Sequence, residues 1–263
     1  MTNPFLIWAG GKTRLLPRLL QYWQGDCRYL EPFCGSAAFF FSVLPKTALL
    51  NDANRDVFNA FTCVQSNAAA VASCLEQWGC SKDEYYDVRN LDETSLTDCQ
   101  KAARTIYLMR LCYGGIYRKN QHGKFNVPYG GGRKTGRLPS EQQLNDCSDA
   151  LKHAVLSNED FESFLNTNAK EGDFIYLDPP FPGTMHDFSS DSVKTDRLIE
   201  VINELDDRSC QFVLSYAAFD GYQDCFESKW TISEIPVMRT VSSKTANRKT
   251  AKEIIVSNIE SAR

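Results

Sequence analysis

The order of apolar and polar positions along the chain predicts two blocks of alternating strands and helices with a helical stretch between them. In the first block, apolar runs at 27–33 and 47–50 flank the helix-forming sequence AAFFFSVL. Short apolar runs that end in turn residues are typical of buried strands, so a helix between two of them predicts a β-α-β unit. From residue 54 to about 113 the pattern indicates helices only.

The second block predicts a further helix and five more strands. Leu198, Val201, Ile202 and Leu205 recur at helical spacing within 192–205, which gives that segment one apolar face. The last two strands are separated by a basic stretch and are expected to form an antiparallel pair. The predicted strands of this block are 154–158, 174–177, 211–216, 231–237 and 253–258.

Between the blocks, the polar, aromatic and basic segment 116–129 predicts a β-hairpin with its turn at His122-Gly123. A helix capped by Ser140 follows it. The whole pattern predicts an α/β protein with a Rossmann-like, mostly parallel sheet and a mostly helical insertion that carries the hairpin. We expect residues 1–54 and 151–263 to form the main domain and residues 55–150 the inserted subdomain.

Composition limits the classes of protein that this sequence can encode. The 263 residues are 43% hydrophobic and 24% charged, as in ordinary globular proteins. No apolar run approaches the roughly 20 residues that cross a bilayer, and no signal sequence is recognisable, so no membrane partner and a cytoplasmic location are expected. The ten cysteines and three histidines show no metal-ligand spacing, which predicts reduced thiols and no metal.

Charge is distributed unevenly along the chain. Residues 101–140 contain nine Lys or Arg and no acid, and residues 235–252 contain five and again no acid. The other 15 basic residues stand against all 33 acidic ones, although the formal net charge is only −4. Two basic segments on an acidic body favour a surface that meets a polyanion.

Three groups of candidate residues follow predicted strands. They are Glu31 to Gly35, Asn51-Asp52, and Asp178 to Phe181. In an open parallel sheet, ligands bind beyond the carboxyl ends of the strands. Gly35 allows close backbone approach to a ligand, and Asp52 has the position of an acid that holds a ribose diol, although a simple turn and a helix cap would explain the same two residues.

Asp178-Pro179-Pro180-Phe181 is the more specific motif. Two prolines directly after a buried strand fix the backbone and remove two N–H donors. A carboxylate, the Pro179 carbonyl and an aromatic ring remain, which provide two acceptors for an exocyclic amine and a surface on which its base can stack. A capped strand end followed by a proline-rich loop would explain the prolines but not the acid and the ring beside them.

In order along the chain, WAGGK at 8–12, EPF at 31–33, Asn51-Asp52, GKFNVPY at 123–129 and DPPF at 178–181 resemble the Dam family of DNA adenine-N6 methyltransferases. The resemblance spans nearly the whole chain. It implies methyl transfer from S-adenosylmethionine to the N6 amine of an adenine flipped out of duplex DNA, within GATC or a related short site. The insertion would then be the target-recognition subdomain and the remainder the catalytic domain.

The resemblance also implies roles for individual residues. Asp178, Pro179, Pro180 and Phe181 would hold the adenine, with Phe181 in place of the family's usual tyrosine. Lys12 would meet the methionine carboxylate of the cofactor, and Asp52 its ribose hydroxyls. The residues implied in cofactor binding are Trp8, Lys12, Phe33, Gly35, Asp52, Asp160, Phe161 and Asp178.

The same resemblance places duplex DNA against the insertion and the C-terminal basic stretch. Arg118 matches a guanine-reading position, although a phosphate contact is the alternative, and Gly114-Gly115 replaces the family's common Asn-Gly. The residues implied in DNA binding are Tyr113, Arg118, Lys119, Asn120, Lys124, Asn126, Pro128, Tyr129, Arg133, Lys134, Lys244 and Arg248. We expect a monomer associated with the nucleoid.

Two other functions stay open at this point. Adenine in RNA, or a glutamine amide in a protein, is methylated at a related acid- or Asn-Pro-Pro-aromatic site, but the basic hairpin favours duplex nucleic acid. A DNA-binding regulator built on an inactive methyltransferase is the other alternative. The intact Asp178, Asp52 and Lys12 argue against that regulator.

Overall fold

A seven-stranded sheet forms the centre of the computed structural model, which describes residues 2–8, 10–131, 137–180, 194–226, 228–238 and 250–261. The strands are β1 (Tyr29–Glu31), β2 (Ala48–Asn51), β3 (Ala154–Ser157), β4 (Phe174–Leu177), β5 (Gln211–Ala217), β6 (Thr231–Met238) and β7 (Thr250–Ser257). Their order across the sheet is β3-β2-β1-β4-β5-β7-β6. The first five run parallel, and β7 is antiparallel to both of its neighbours.

The sheet confirms the predicted α/β fold, including the antiparallel pair at the end of the chain. One strand is shorter than predicted: β1 begins at Tyr29 and ends at Glu31 rather than covering 27–33. Pro32 follows it and has no N–H to donate to a neighbouring strand, so the chain leaves the ladder there. Because β1 ends early, the segment that follows it lies at the carboxyl edge of the parallel strands.

Nine α-helices lie in the described part of the chain. They are α1 (Leu16–Leu19), α2 (Ala38–Val43), α3 (Arg55–Glu76), α4 (Lys82–Asn90), α5 (Asp98–Leu111), α6 (Glu141–Leu151), α7 (Phe161–Asn168), α8 (Thr195–Asp207) and α9 (Tyr222–Cys225). Side-chain caps set several starts: Asn54 accepts a bond from the backbone of α3, and Ser81 and Thr97 form capping boxes. The short α1 and α9 were not predicted.

The two faces of the sheet pack against different helices. One face shares a continuous buried core with α2, α3, α5 and α6, in which Tyr29, Phe40, Phe61 and Tyr107 meet. The other face packs against α7 and α8 around Leu177. Because α3, α5 and α6 belong to the predicted insertion, that segment covers one side of the sheet; its boundary as a subdomain remains a prediction.

The N-terminal segment is hydrogen-bonded to the predicted insertion as well as to α2, where the Thr2 N–H donates to the Phe41 carbonyl at 3.1 Å. Arg110 on α5 donates from Nη2 to the carbonyl oxygens of Pro4 and Phe5, at 3.0 and 2.8 Å. Gln143 on α6 donates from Nε2 to the same Pro4 carbonyl at 3.0 Å. The insertion therefore fixes the chain that leads into Trp8.

The predicted hairpin within 116–129 is present, with its turn at His122-Gly123, but its antiparallel pairing is short. Two isolated antiparallel bridges, Lys119 with Phe125 and Cys112 with Tyr129, bring its two arms together. The turn between the arms is held by the Asn120 side chain, whose Oδ1 accepts bonds from the backbone of His122 and Lys124. An asparagine that bonds its own turn competes with ladder hydrogen bonds, which explains the short pairing.

Candidate active site

The candidate site residues lie where β1, β2 and β4 end, at the carboxyl edge of the sheet. Because these three strands are adjacent and parallel, Phe33 to Gly35, Asp52 and Asp178 follow strand ends on the same edge. The structure therefore places these residues at one edge of the sheet, as the sequence pattern predicted, and their roles there stay a prediction. Phe181 belongs to the motif after β4 but lies outside the described residues.

Asp52 is held by two backbone donors. Its Oδ2 accepts from the Gly35 N–H at 2.8 Å, and its Oδ1 accepts from the Asn54 N–H at 2.9 Å. Burial raises the pKa of Asp52 to about 6, against the lowering effect of these two bonds. Each carboxylate oxygen has a further lone pair, so the group still has acceptor positions for a pair of hydroxyls.

The buried side chain of Asn51 ties the neighbouring loops together. Its Nδ2 donates to the carbonyl oxygens of Pro32 and Glu159, both at 3.0 Å, and its Oδ1 accepts from the Glu159 N–H at 2.8 Å. Asn51 thus joins the segments that follow β1 and β3 through the end of β2. It was noted beside Asp52 in the sequence but was not assigned to the site.

Gly35 is required by its surroundings. Its φ is +48°, and a Cβ at this position would lie 2.9 Å from Cδ1 of the Trp8 ring. The Trp8 ring in turn packs on Tyr117, with ring centroids 5.1 Å apart. The close approach of Gly35 to Trp8 brings the N-terminal segment against the loop after β1, and only a residue without a side chain fits there.

A second aromatic pair lines the same edge. Phe33 and Phe161 have ring centroids 5.0 Å apart. Asp160, which was predicted beside Phe161, caps α7: its Oδ1 accepts from the Glu162 and Ser163 N–H groups. The structure therefore brings Phe33 and Phe161 together and gives Asp160 a role at a helix start.

Asp178 contacts Lys12 and Ser215. The Lys12 ammonium lies 2.6 Å from Oδ1 of Asp178 and also donates to the Gly10 carbonyl at 3.0 Å. The Ser215 hydroxyl donates to the same Oδ1 at 3.0 Å. The Lys12 side chain is 7% exposed and that of Asp178 is 19% exposed, so this ion pair is largely withdrawn from water. Pro179 is buried and Pro180 is half-buried beside them.

Besides Asn51, two buried polar residues of this region received no role from the sequence: Glu31, which was named only as part of its strand-end group, and Ser215. Glu31, 2% exposed, accepts a hydrogen bond from the Tyr29 hydroxyl at 2.8 Å, and burial raises its pKa well above the ordinary value. Ser215 is fully buried in β5. Both are polar residues inside otherwise apolar strands, and that signal could have identified them.

The loop at 116–129 presents only part of the predicted DNA-binding set to solvent. Arg118 is exposed and donates from Nε to Oδ1 of Asn126 at 2.7 Å. Tyr113, at 49% exposure, Lys124 and Pro128 are also exposed. Arg118, Lys124 and Pro128 lie on the 116–129 loop and Tyr113 lies just before it, and their role in DNA binding stays a prediction.

Other members of that set have partners within the protein. Lys119 lies 2.7 Å from Oδ2 of Asp56, which also accepts from the Tyr117 hydroxyl at 2.6 Å. The Tyr129 hydroxyl donates to the Cys80 carbonyl at 2.8 Å. The predicted Arg133, Lys134, Lys244 and Arg248 lie outside the described residues.

The described residues contain no group of three or more His, Cys, Asp or Glu side chains that could hold a metal ion. All ten cysteines are free thiols, and five of them are buried. Within the same part of the chain, no helix has the length and apolar character needed to cross a membrane.

The sheet order, with β7 antiparallel at the end of a parallel core, and the acid-bearing loops at its carboxyl edge define a Rossmann-like methyltransferase fold. The family model of the D12 class N6 adenine-specific DNA methyltransferases matches residues 8–249. The chain therefore belongs to this family of adenine-specific DNA methyltransferases, which confirms the resemblance read from its motifs. Its substrate class is DNA, and the family's methyl donor is S-adenosylmethionine.

Several curated relatives match over nearly their whole length. The type II methyltransferase M1.LlaDCHI of Lactococcus lactis subsp. cremoris is 30% identical over 275 residues, covering 97% of this chain and 95% of that protein. The type II methyltransferase M.MjaIII of Methanocaldococcus jannaschii is 29% identical, covering 94% and 95%. The retron Ec67 DNA adenine methylase of Escherichia coli is 28% identical, covering 96% and 90%.

Proposed function

We propose that this enzyme flips an adenine out of duplex DNA and methylates its N6 amine within GATC or a related short site. The observation that carries the proposal is the Asp178 carboxylate, fixed by Lys12 and Ser215 at the end of a central strand and followed by Pro179. Flipping costs a few kcal/mol, and base stacking on an aromatic ring such as Phe181 returns about 1–3 kcal/mol.

In this proposal, Asp178 and the Pro179 carbonyl accept the two N–H bonds of the target amine. These bonds fix the amine's rotation and direct its nitrogen lone pair away from the two acceptors. The nitrogen loses one proton after it gains the methyl group, and the carboxylate lies beside it as an acceptor. Orientation of the amine in a site withdrawn from water is the main contribution of the protein.

The residues at the strand ends fit S-adenosylmethionine. The acceptor positions of Asp52 suit its ribose hydroxyls, and the Gly35 N–H, bonded to Asp52, fixes the loop that carries Phe33 beside it. Phe33 and Phe161 offer apolar surface for its adenine, and Trp8 closes the other side. When bound, the cofactor supplies a methyl group that its sulfonium makes electrophilic.

Two carboxylates are candidate partners for the Lys12 ammonium. Its sequence position matches a contact with the cofactor's methionine carboxylate, whereas in the structure its ammonium lies against Asp178. The positive charge of an ammonium attracts carboxylates from more than one side, which allows Lys12 to bridge both. We propose that it does so, which would join the cofactor site to the adenine site.

Arg118 is the proposed guanine reader. Its Nε is bonded to Asn126, which fixes the plane of an exposed guanidinium and leaves its two terminal nitrogens for the O6 and N7 atoms of a guanine. Lys119, which is paired with Asp56, would contribute less to DNA contact than Arg118 or Lys124.

Expression in cells that lack adenine methylation tests the function and the site together. DNA recovered from those cells is digested with GATC-specific nucleases that differ in their sensitivity to N6-methyladenine. Protection at GATC is expected, and methylated adenine elsewhere with GATC unprotected would refute the proposed site.

Asp178→Ala should abolish methyl transfer while DNA binding stays close to that of the unmodified enzyme, because the carboxylate acts on the flipped amine rather than on the duplex. Methyl incorporation and DNA affinity are measured on the same preparations. Full methyl transfer by that variant would refute the proposed role of Asp178.

A further inference from the structure

Two donors from the described residues reach the Asp178 carboxylate, and both reach the same oxygen. Lys12 and Ser215 contact Oδ1, at 2.6 and 3.0 Å. Among the described residues, donors reach Oδ1 and none reaches Oδ2, so the two oxygens of this carboxylate are not equivalent.

Strand register places Ser215 beside Asp178. Leu177 on β4 pairs with Leu214 on β5, so the next step along the two parallel strands sets Asp178 against Ser215. Side chains alternate between the faces of a sheet, so Tyr176 and Asp178 point to one face. Tyr176 reaches the same serine, with its hydroxyl 3.1 Å from Ser215 Oγ.

The direction of these hydrogen bonds follows from the protons available. A carboxylate only accepts, so Ser215 must give its single hydroxyl proton to Asp178. The Tyr176 hydroxyl is then the donor to Ser215 Oγ. The result is a chain of donors from Tyr176 through Ser215 to Oδ1 of Asp178.

Both hydroxyl groups lie deep in the protein. Ser215 is fully buried and Tyr176 is 2% exposed. Burial, and next to it the charge of Asp178, raises the pKa of Tyr176 well above 10, so this tyrosine stays protonated and remains a donor. A buried hydroxyl pair of this kind is stiff, because each member is fixed by packing as well as by its bonds.

We propose that Ser215, supported by Tyr176, is a positioning residue for the reaction: it holds Oδ1 of Asp178 so that Oδ2 faces the amine of the target adenine. This inference rests on the proposed function, since it assumes that Asp178 accepts from that amine. Ser215 touches neither the base nor the cofactor in this scheme.

Ser215→Ala tests the inference in the full-length enzyme. With S-adenosylmethionine and unmethylated plasmid DNA, we expect its single-turnover rate to fall about 10- to 100-fold, the range for losing a hydrogen bond to a charged group. The KM for DNA and the dissociation constant for the cofactor should stay unchanged, because the ground-state contacts remain.

Three further variants separate positioning from simple loss of stability. Ser257→Ala is the matched control, because Ser257 is also fully buried in this sheet and its hydroxyl donates to the Phe212 carbonyl at 2.8 Å. It should lower the melting temperature about as much as Ser215→Ala and leave the rate intact. Ser215→Thr keeps the hydroxyl and should restore most of the rate, and Tyr176→Phe should cause a smaller loss of rate than Ser215→Ala.

The inference is overturned if Ser215→Ala turns over at the unmodified rate, or if Ser257→Ala slows the reaction equally. Should Ser215→Ala not fold, an unchanged rate in Tyr176→Phe overturns it instead. Asp178→Ala, measured in the same experiment, separates failure of the positioning role from failure of the proposed function. If Asp178→Ala is inactive while the Ser215 and Tyr176 variants are normal, only the positioning role fails; if Asp178→Ala is fully active, the proposed function fails with it.

Discussion

Asp52 allows a quantitative test of the proposed cofactor site through pH. Burial raises the pKa of its carboxyl to about 6, so the group changes charge in an experimentally accessible range. Only the carboxylate offers an acceptor to each ribose hydroxyl, so cofactor binding favours the ionised form and lowers this pKa in the complex. Below about pH 6 the Asp52 carboxyl of the free enzyme is protonated and must lose that proton when the cofactor binds. The affinity for S-adenosylmethionine should therefore fall as the pH drops below about 6.

The expected slope is a tenfold rise in the dissociation constant per pH unit below about 6, with little change above about 7, as for one linked proton. Asp52→Asn removes the charge and one acceptor. It should weaken binding at neutral pH by about 1.5–3 kcal/mol, roughly 10- to 150-fold, and its affinity should show no such slope.

Titration calorimetry at several pH values, with the melting temperature recorded at each, measures this dependence on folded protein. Asp149→Asn provides a control, because Asp149 is exposed and its carboxylate pairs only with the neighbouring Lys152 in the same helical turn. The reasoning about Asp52 is refuted if Asp52→Asn binds the cofactor as tightly as the unmodified enzyme, or retains its pH dependence.

Two further predictions concern the loops proposed to read DNA and to hold the cofactor. Arg118→Ala should lose about 1–3 kcal/mol of discrimination between the correct base pair and others at one position of the site. The loss is measured as methylation of DNA sites altered at that position. Uniformly weaker binding to all sequences would instead indicate a phosphate contact. Gly35→Ala should weaken cofactor binding, because its Cβ would lie 2.9 Å from the Trp8 ring at a φ of +48°; an unchanged affinity measured by quenching of tryptophan fluorescence would contradict this.

The sequence was sufficient to predict the sheet and the strands that bear the site, for a definite physical reason. Buried parallel strands are short apolar runs, and an acid directly after such a run must lie at the carboxyl edge of the sheet. Asp52 and Asp178 satisfy this rule, and both lie there. The glycine at position 35 was likewise marked by its place between a strand and a helix.

Contacts between distant parts of the chain were not predictable in the same way. Nothing periodic connects Lys12 to Asp178, or Lys119 to Asp56, because each pair depends on the three-dimensional path of the chain. Lys119 therefore looked like one more DNA-facing cation in a basic run. The short pairing of the predicted hairpin, closed by the Asn120 turn, was likewise not visible in the sequence.

The attachment of the N-terminal segment to the insertion bears on how target specificity can be exchanged between related enzymes. Arg110 and Gln143 hold Pro4 and Phe5, just ahead of Trp8. A chimera that replaced all of 55–150 would therefore release the segment that carries Trp8 and disturb methyl-donor binding as well as DNA reading. Grafting only 118–126 would leave these anchors in place together with the contact between Tyr117 and the Trp8 ring, so an exchange confined to that stretch should alter DNA reading with the least effect on the methyl-donor site.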